Sequence, residues 1–222
     1  MKRLFLVGIA VFTMAGTAAS ACPAPAPDHS LVDSLKNQAP GLRSDVLELA
    51  LNAEQCAAQQ GLVKRTDMLT VIDYSLPSST PRLFVFNLAT HKLLFRELVA
   101  HGKNSGDNIT SFFSNSPSSL ATSLGLFVTA DTYIGKNGYS LRLKGLDEGF
   151  NDMAWDRAIV MHGASYVSQE AIKVLGRLGR SWGCPAVSST VAQKIIDTIR
   201  GGSAIFSYYP DKDWLSKSAF LH

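Results

Sequence analysis

The chain has 222 residues, of which 46% are hydrophobic and 18% charged, and it contains only three cysteines. This length suits one domain with a buried core, and the ordinary composition excludes disordered, collagen-like and disulfide-scaffold proteins. The formal net charge of +3 would suit an acidic partner, but Lys2 and Arg3 at the start of the chain supply two of those charges. Because no clustered basic face remains, the sequence predicts no nucleic-acid partner.

Residues 1–21 have the features of a secretory signal peptide. A positive start is followed by an apolar stretch over 4–16 and by an A-x-A cleavage site at 19–21. The stretch is shorter than the roughly 20 residues that span a bilayer, so we expect no membrane span after cleavage. The mature protein is predicted to lie in the periplasm or elsewhere in the cell envelope, which is oxidising. Lipid attachment at Cys22 is an alternative.

A tether and a helical segment are predicted over 22–65. The apolar spacing predicts two helices, over 30–37 and from Ser44 to Gln60. Cys56 lies on the apolar face of the second helix, which is typical of a small core residue. The oxidising compartment also permits a Cys56–Cys184 disulfide, which would suit a non-catalytic wall-binding module.

The pattern after residue 65 has a period of two and predicts a series of strands. The predicted strands are 68–74, 82–87, 92–100, 125–133, 140–143, 158–162 and 204–209. Residues 102–123 are rich in Gly, Ser and Asn and predict a long surface loop, of the kind that is often functional. Two further helices are predicted to begin at Ser168 and Thr190, and to end before Gly179 and Gly201.

Cys184 lies on no apolar helical face, within the string Ser181-Trp182-Gly183-Cys184-Pro185-Ala186. Gly183 permits an unusual turn and the close approach of a substrate, and the proline stiffens the turn. A cysteine needs a base or a positive field to become a thiolate nucleophile. His162, about twenty residues earlier, ends an apolar run and is followed by Gly163. The sequence therefore predicts Cys184 as a nucleophile with His162 as its base.

This pair resembles the signature of the L,D-transpeptidase catalytic domain, which is a His, a spacer and then Ser/Thr-His-Gly-Cys. The stretch 122–127 is similar to the Thr-Pro-x-Gly-x-Phe strand entry of that family. The resemblance covers about 66–210. It implies a catalytic domain over 66–222 that is mainly β with α additions, a mixed β-sandwich preceded by a short helical segment.

The sequence departs from the family pattern in the spacer between His and Cys, which is longer than in the typical member, and at two places in the Cys string. Trp182 stands where the family has its usual His, and Pro185-Ala186 replace the Asn or Arg that often follows the Cys. Trp182 can act neither as an acid nor as a base, so the pattern resembles a divergent branch of the family. The nucleophile and its base are retained.

The resemblance implies acyl transfer on peptidoglycan stem peptides, with no metal and no other cofactor. Cys184 would form a thioester with the stem, and His162, oriented by the carbonyl of Gly163, would move the protons. The N–H groups of Gly183 and Cys184 would hold the oxyanion. Ser181 would hydrogen-bond the turn or the substrate.

Three further residues are predicted to contact the substrate. Arg180 stands beside the Cys turn and could bind a stem carboxylate, Trp182 lies in the turn itself, and His101 opens the long loop. Two alternatives stay open. The same stems could be hydrolysed by a carboxypeptidase or endopeptidase reaction, or Cys184, His162 and His101 could hold zinc, although their spacing is not that of a zinc motif.

Overall fold

The computed structural model describes Cys22 and residues 28–222, so the predicted signal peptide lies outside the described residues. The α-helices are α1 (His29–Gln38), α2 (Ser44–Gln59), α3 (Gln169–Leu175), α4 (Ala192–Ile199) and α5 (Lys212–Lys217). The strands are β1 (Met68–Asp73), β2 (Leu83–Asn87), β3 (Lys92–Glu97), β4 (Val99–Ala100), β5 (Gly125–Gly135), β6 (Gly138–Gly145), β7 (Val160–Ala164), β8 (Ala186–Ser188) and β9 (Ala204–Tyr208). Within the described ranges, no helix is long and apolar enough to cross a membrane.

The strands form one mixed sheet in the order β3-β2-β1-β9-β5-β6-β7-β8-β4. The pairs β1–β9 and β7–β8 are parallel, and the other pairs are antiparallel. The predicted mainly β fold is therefore confirmed. The sequence missed β8 and α5, and the single strand predicted over 92–100 is divided into β3 and β4.

The sheet has a hydrophobic core on each face, because successive side chains of a strand point to opposite sides. Phe84 and Phe86 of β2 share one core with α1, α2 and α5. Leu83 and Val85 of the same strand share the other core with residues of β6, β7, β8 and α4. In this second core, β2 from one part of the sheet faces β6, β7 and β8 from the other part, as two layers do in a β-sandwich.

A disulfide joins Cys22 to Cys56, which lies on α2. Cys184 is the free cysteine. This arrangement contradicts two alternatives from the sequence. The thiol of Cys22 is not available for a lipid, and Cys56 cannot pair with Cys184. Cys56 is buried, as its place on the apolar helix face predicts, but it also ties the start of the described chain to the helical segment.

Two element boundaries differ from the prediction near the candidate site. Helix α3 ends at Leu175 because Gly176 adopts a left-handed conformation, with φ of 69°, earlier than the predicted end at Gly179. Strand β7 begins at Val160, because Ala158 also has a positive φ, 53°, which interrupts extended backbone. His162 consequently lies in the middle of β7 and not at its end.

Candidate active site

His162 is held between two strands at the centre of β7. It is opposite Ser140 of β6 and Ala186 of β8, and its side chain is buried. The ring Nδ1 lies 3.0 Å from the carbonyl oxygen of Gly163. If Nδ1–H donates to that carbonyl, Nε2 is left with the lone pair that a base requires. Burial lowers the pKa of His162, and the Gly163 carbonyl opposes this shift, so the neutral ring is favoured near pH 7.

Cys184 lies two residues before β8, separated from it by Pro185, and its side chain is 9% exposed. The parallel register of β7 and β8 places it level with Val160. Its Sγ accepts a hydrogen bond from the Val160 N–H at 3.5 Å and lies 3.8 Å from the Ala158 carbonyl oxygen, to which the thiol donates. Burial raises the pKa of the Cys184 thiol, while the Val160 N–H and the Arg157 guanidinium lower it. The free protein therefore favours a neutral thiol.

The fold places Cys184 in the turn that leads into β8, beside β7, which carries His162. The two residues are offset by two positions along the strands, which is roughly 7 Å. Both pKa shifts favour the neutral thiol and imidazole over a thiolate–imidazolium pair. The arrangement suits a cysteine that gives up its proton as it attacks, with the histidine as general base.

Hydrogen bonds of Ser181 close the turn that presents Cys184. Its Oγ donates to the Cys184 carbonyl oxygen at 2.6 Å and accepts the Gly183 N–H at 3.1 Å. Gly183 has a φ of 118°, and a Cβ there would lie 2.7 Å from the Ala121 carbonyl oxygen, so glycine is required. Because the Gly183 N–H is already donated to Ser181, the prediction that it holds an oxyanion is corrected: it has a structural partner.

The predicted surface loop 102–123 packs directly onto this turn. The Lys103 N–H donates to the Ser181 carbonyl at 2.8 Å, and the Ser181 N–H donates to the His101 carbonyl at 2.9 Å. Thr122, buried, accepts the Gly102 N–H through its Oγ1. The loop thus forms one wall of the site, which its sequence composition alone does not show.

Arg157, three residues before β7, connects this loop to the strand that carries His162, and no sequence pattern pointed to it. Its Nη1 donates to the Ser114 carbonyl and to Ser123 Oγ, and its Nη2 donates to Ser119 Oγ and the Ala121 carbonyl. The guanidinium is half-buried and is the positive charge that lowers the pKa of the nearby cysteine thiol. Arg157 therefore both anchors the loop and sets the local field.

Trp182 is 74% exposed and lines a surface pocket of about 260 Å³ beside the Cys turn. Arg157 and Asp156 line the same pocket, together with loop residues that include Ser118 and Leu120. Both loop residues have a positive φ, 58° and 56°, which is uncommon for residues other than glycine. The pocket offers an aromatic face and charged groups of both signs to a ligand.

Arg180 is engaged with the loop. Its Nη1 forms a salt bridge with Asp107 at 3.0 Å and donates to the Gly106 carbonyl at 2.9 Å. Arg177 also contacts Asp107, at 3.5 Å. To bind a stem carboxylate, Arg180 would have to exchange this partner.

The prediction that His101 lines the cleft is corrected, because its ring has no exposed surface. Its Nδ1 lies 2.7 Å from the guanidinium of Arg82, and its Nε2 lies 3.2 Å from the Gly106 carbonyl. These contacts also contradict the zinc alternative, which needed His101 beside Cys184. Across Cys22 and residues 28–222, no three His, Cys, Asp or Glu side chains are grouped as metal ligands.

A family model for the L,D-transpeptidase catalytic domain matches residues 38–208 of this chain. The match therefore includes α2 as well as the sheet, and it contains Cys184 and His162. It covers more than half of the chain. No curated protein matches the chain.

Several solved structures are similar to this chain. An L,D-transpeptidase from Mycobacterium smegmatis is 15% identical over 64% of this chain and 59% of that one, with a TM-score of 0.40. The L,D-transpeptidase LdtMt1 in complex with imipenem is 17% identical over 63% and 58%, with a TM-score of 0.39. The L,D-transpeptidase (Yku) from Stackebrandtia nassauensis is 12% identical over 82% and 77%, with a TM-score of 0.40. The matched region thus spans less than two thirds of the first two proteins.

Proposed function

This chain belongs to the L,D-transpeptidase catalytic-domain family, and from that premise we propose that it transfers acyl groups between peptidoglycan stem peptides. Cys184 is the nucleophile and His162 the base. One observation carries this proposal. The free cysteine, Cys184, lies in a turn that requires glycine and is next to β7. The central histidine of β7, His162, has its Nδ1 against the Gly163 carbonyl.

The proposed reaction has two half-reactions. The Cys184 sulfur attacks the carbonyl carbon of the third, diamino-acid residue of a tetrapeptide stem, and His162 Nε2 takes the thiol proton. The bond to the terminal D-alanine breaks, and its amine leaves with the proton from His162. An amine of a neighbouring stem then attacks the thioester, His162 takes its proton, and the thiol is restored.

We propose the remaining roles from the contacts around the Cys184 turn. Ser181 and Gly183 position the nucleophile through the turn, since their polar groups bind each other. The Cys184 N–H is the proposed oxyanion donor, and one such donor is typically worth about 3 kcal/mol. Trp182 and Arg157 are proposed to contact the stem through their pocket, and Arg180 holds the loop through Asp107.

The disulfide supports the predicted export. Structural disulfides persist in oxidising compartments, so the Cys22–Cys56 bond is consistent with a mature protein in the cell envelope. A domain division at residues 21 and 65 remains part of this proposal, with 1–21 as the signal peptide, 22–65 as the helical segment and 66–222 as the catalytic domain.

Incubation of the purified mature protein with muropeptides, followed by mass spectrometry, tests the proposal. Cross-linked dimers are expected, and they should disappear in Cys184→Ala and in His162→Gln. His91→Gln is the matched control because that histidine is exposed in the turn between β2 and β3. Tripeptides without dimers would support the hydrolase alternative, which shares the first half-reaction, and unchanged turnover in Cys184→Ala would refute both reactions.

Imipenem provides a second test, because it is the ligand in one of the similar structures. We expect the intact mass of the wild-type protein to rise by one imipenem, and that of Cys184→Ala to stay unchanged. A gain in mass in both proteins would place the modification elsewhere.

A further inference from the structure

A pocket of about 280 Å³ lies between α1, α2 and the turn that follows β2. None of its lining residues belongs to the Cys184 turn, to β7 or to loop 102–123. Its walls combine aliphatic side chains with three carboxyl groups, among them Leu31, Leu51, Leu88, Asp28, Glu48 and Glu54. Among the described lining residues there is no lysine, arginine or histidine.

Glu54 is the unusual member of this set. Its side chain is only 5% exposed, and its Oε1 has no hydrogen-bond partner among the described residues. Burial raises the pKa of Glu54 to about 7. A buried carboxyl group without a partner is costly, and a ligand that supplies donors and positive charge would remove that cost.

The other two carboxyl groups, of Asp28 and Glu48, differ from Glu54 because one has hydrogen-bond partners and the other is only half-buried. Asp28 caps α1, and its side chain accepts the N–H groups of Ser30 and Leu31, so its carboxylate has a defined position at the pocket. Glu48 is half-buried and stands six residues, about one and two-thirds turns, before Glu54 on α2. The three carboxyl groups therefore line the pocket beside its aliphatic wall, and one of them belongs to Glu54, whose buried Oε1 has no partner among the described residues.

We propose that this pocket binds a primary ammonium group carried on an unbranched aliphatic chain, with Glu54 as the buried counter-ion. An ammonium is a compact charge with three donors, so it can bind Glu54 and still donate to a second carboxylate. Its methylene chain suits the leucine walls, as lysine stems do on apolar surfaces. The site does not depend on the proposed transferase reaction.

The test uses the mature protein with n-pentylamine as the probe, observed by calorimetry and by NMR of the backbone amides. We expect saturable binding, with shifts confined to α1, α2 and the turn after β2, and none with 1-pentanol, which lacks the charge. Binding should weaken as the pH falls below about 7, because Glu54 is then protonated. Nα-acetyl-lysine methylamide and cadaverine distinguish a peptide source of the ammonium from a free diamine, since the better probe identifies the source.

Glu54→Gln should weaken pentylamine binding at least about tenfold, because it removes a charge-assisted hydrogen bond. Glu148→Gln is the matched control, since that glutamate is exposed and does not line the pocket. If Glu54→Gln does not fold, a carbon-detected NMR titration of wild-type Glu54 replaces it, and its pKa should fall when pentylamine is added. Equal binding by Glu54→Gln, no saturable binding by the wild type, or an unmoved Glu54 pKa would each overturn the proposal.

Discussion

Replacement of Arg157 separates its two roles, because alanine removes both the charge and the hydrogen bonds, whereas lysine keeps the charge but lacks the planar fork that reaches all four acceptors. The guanidinium makes four hydrogen bonds to loop 102–123. Bonds from a charged donor contribute roughly 1.5–3 kcal/mol each, and half-burial and non-additivity reduce the sum. We therefore expect Arg157→Ala to lower the free energy of unfolding by about 3 kcal/mol, measured by urea denaturation.

The same variants change the acidity of Cys184. Since the Arg157 charge lowers the pKa of the thiol, Arg157→Ala should raise that pKa, and Arg157→Lys should leave it nearer the wild-type value. The assay is the rate of iodoacetamide alkylation as a function of pH, read from the intact mass. Cys184 is the free thiol in the described structure, so the reading is specific to it. The midpoint reports the pKa, whereas the plateau at high pH reports access past the loop.

Two outcomes would refute this reasoning. If the midpoint is the same in Arg157→Ala and the wild type, the arginine does not act on the thiol through its charge. If Arg157→Lys shifts the midpoint as far as Arg157→Ala does, the effect comes from the altered loop and not from the charge. Both roles are supported if the alkylation plateau is higher in both variants and the midpoint moves to higher pH only in Arg157→Ala.

Three further predictions concern stability. Burial and the Arg82 charge lower the pKa of His101 to about 4, so this histidine stays neutral in the folded state above that pH. Its contribution to the free energy of unfolding is fully present above pH 6.5 and should fall by about 3 kcal/mol towards pH 4. Urea unfolding of the wild type and of His101→Gln at several pH values isolates this term, because the other titrating groups, such as Glu54, act in both proteins. The wild type should lose about 3 kcal/mol relative to His101→Gln between pH 6.5 and pH 4, and equal pH dependence would contradict the prediction. Replacing both Cys22 and Cys56 by serine should lower the free energy of unfolding by about 3–4 kcal/mol, because the disulfide joins residues 34 apart and so restricts the unfolded chain. An unchanged midpoint of urea unfolding would count against the disulfide. Gly183→Ala should lower the melting temperature by several degrees through its positive φ and the facing carbonyl, whereas an unchanged melting temperature would show that the turn relaxes freely.

The long elements of the fold were predictable because their side-chain period is sustained. Strands β1, β2 and β9 lie within two residues of their predicted ranges. Strand β8 has only three residues and follows a proline, so it carries no usable period. The start of β7 was misplaced because the left-handed conformation of Ala158 is set by tertiary contacts and has no signal in an alanine.

The candidate site could be proposed from the sequence only where the residue types themselves suggest thiol chemistry. Cys184, His162 and Gly163 could be proposed from the order of residue types along the chain. Arg157 could not, because its four acceptors are backbone carbonyls and serine hydroxyls 34 to 43 residues away, in a loop without periodicity. The Cys22–Cys56 pairing was equally hidden, since three cysteines permit three pairings and sequence spacing does not choose between them.

The neutral state of the Cys184–His162 pair follows from the same packing that positions it. Loop 102–123 and the turn exclude water from the thiol, and this burial raises the thiol pKa while it lowers that of the imidazole. An ion pair in the free protein would have to overcome both shifts, so in the proposed reaction the proton transfer is coupled to bond formation with the substrate. Arg157 is the exception to this apolar packing. Its charge favours the thiolate form of Cys184, and its hydrogen bonds hold the loop that packs on the Cys184 turn. One residue therefore limits the cost of ionising the buried thiol and maintains the packing around it, which is why it is the most informative position to change.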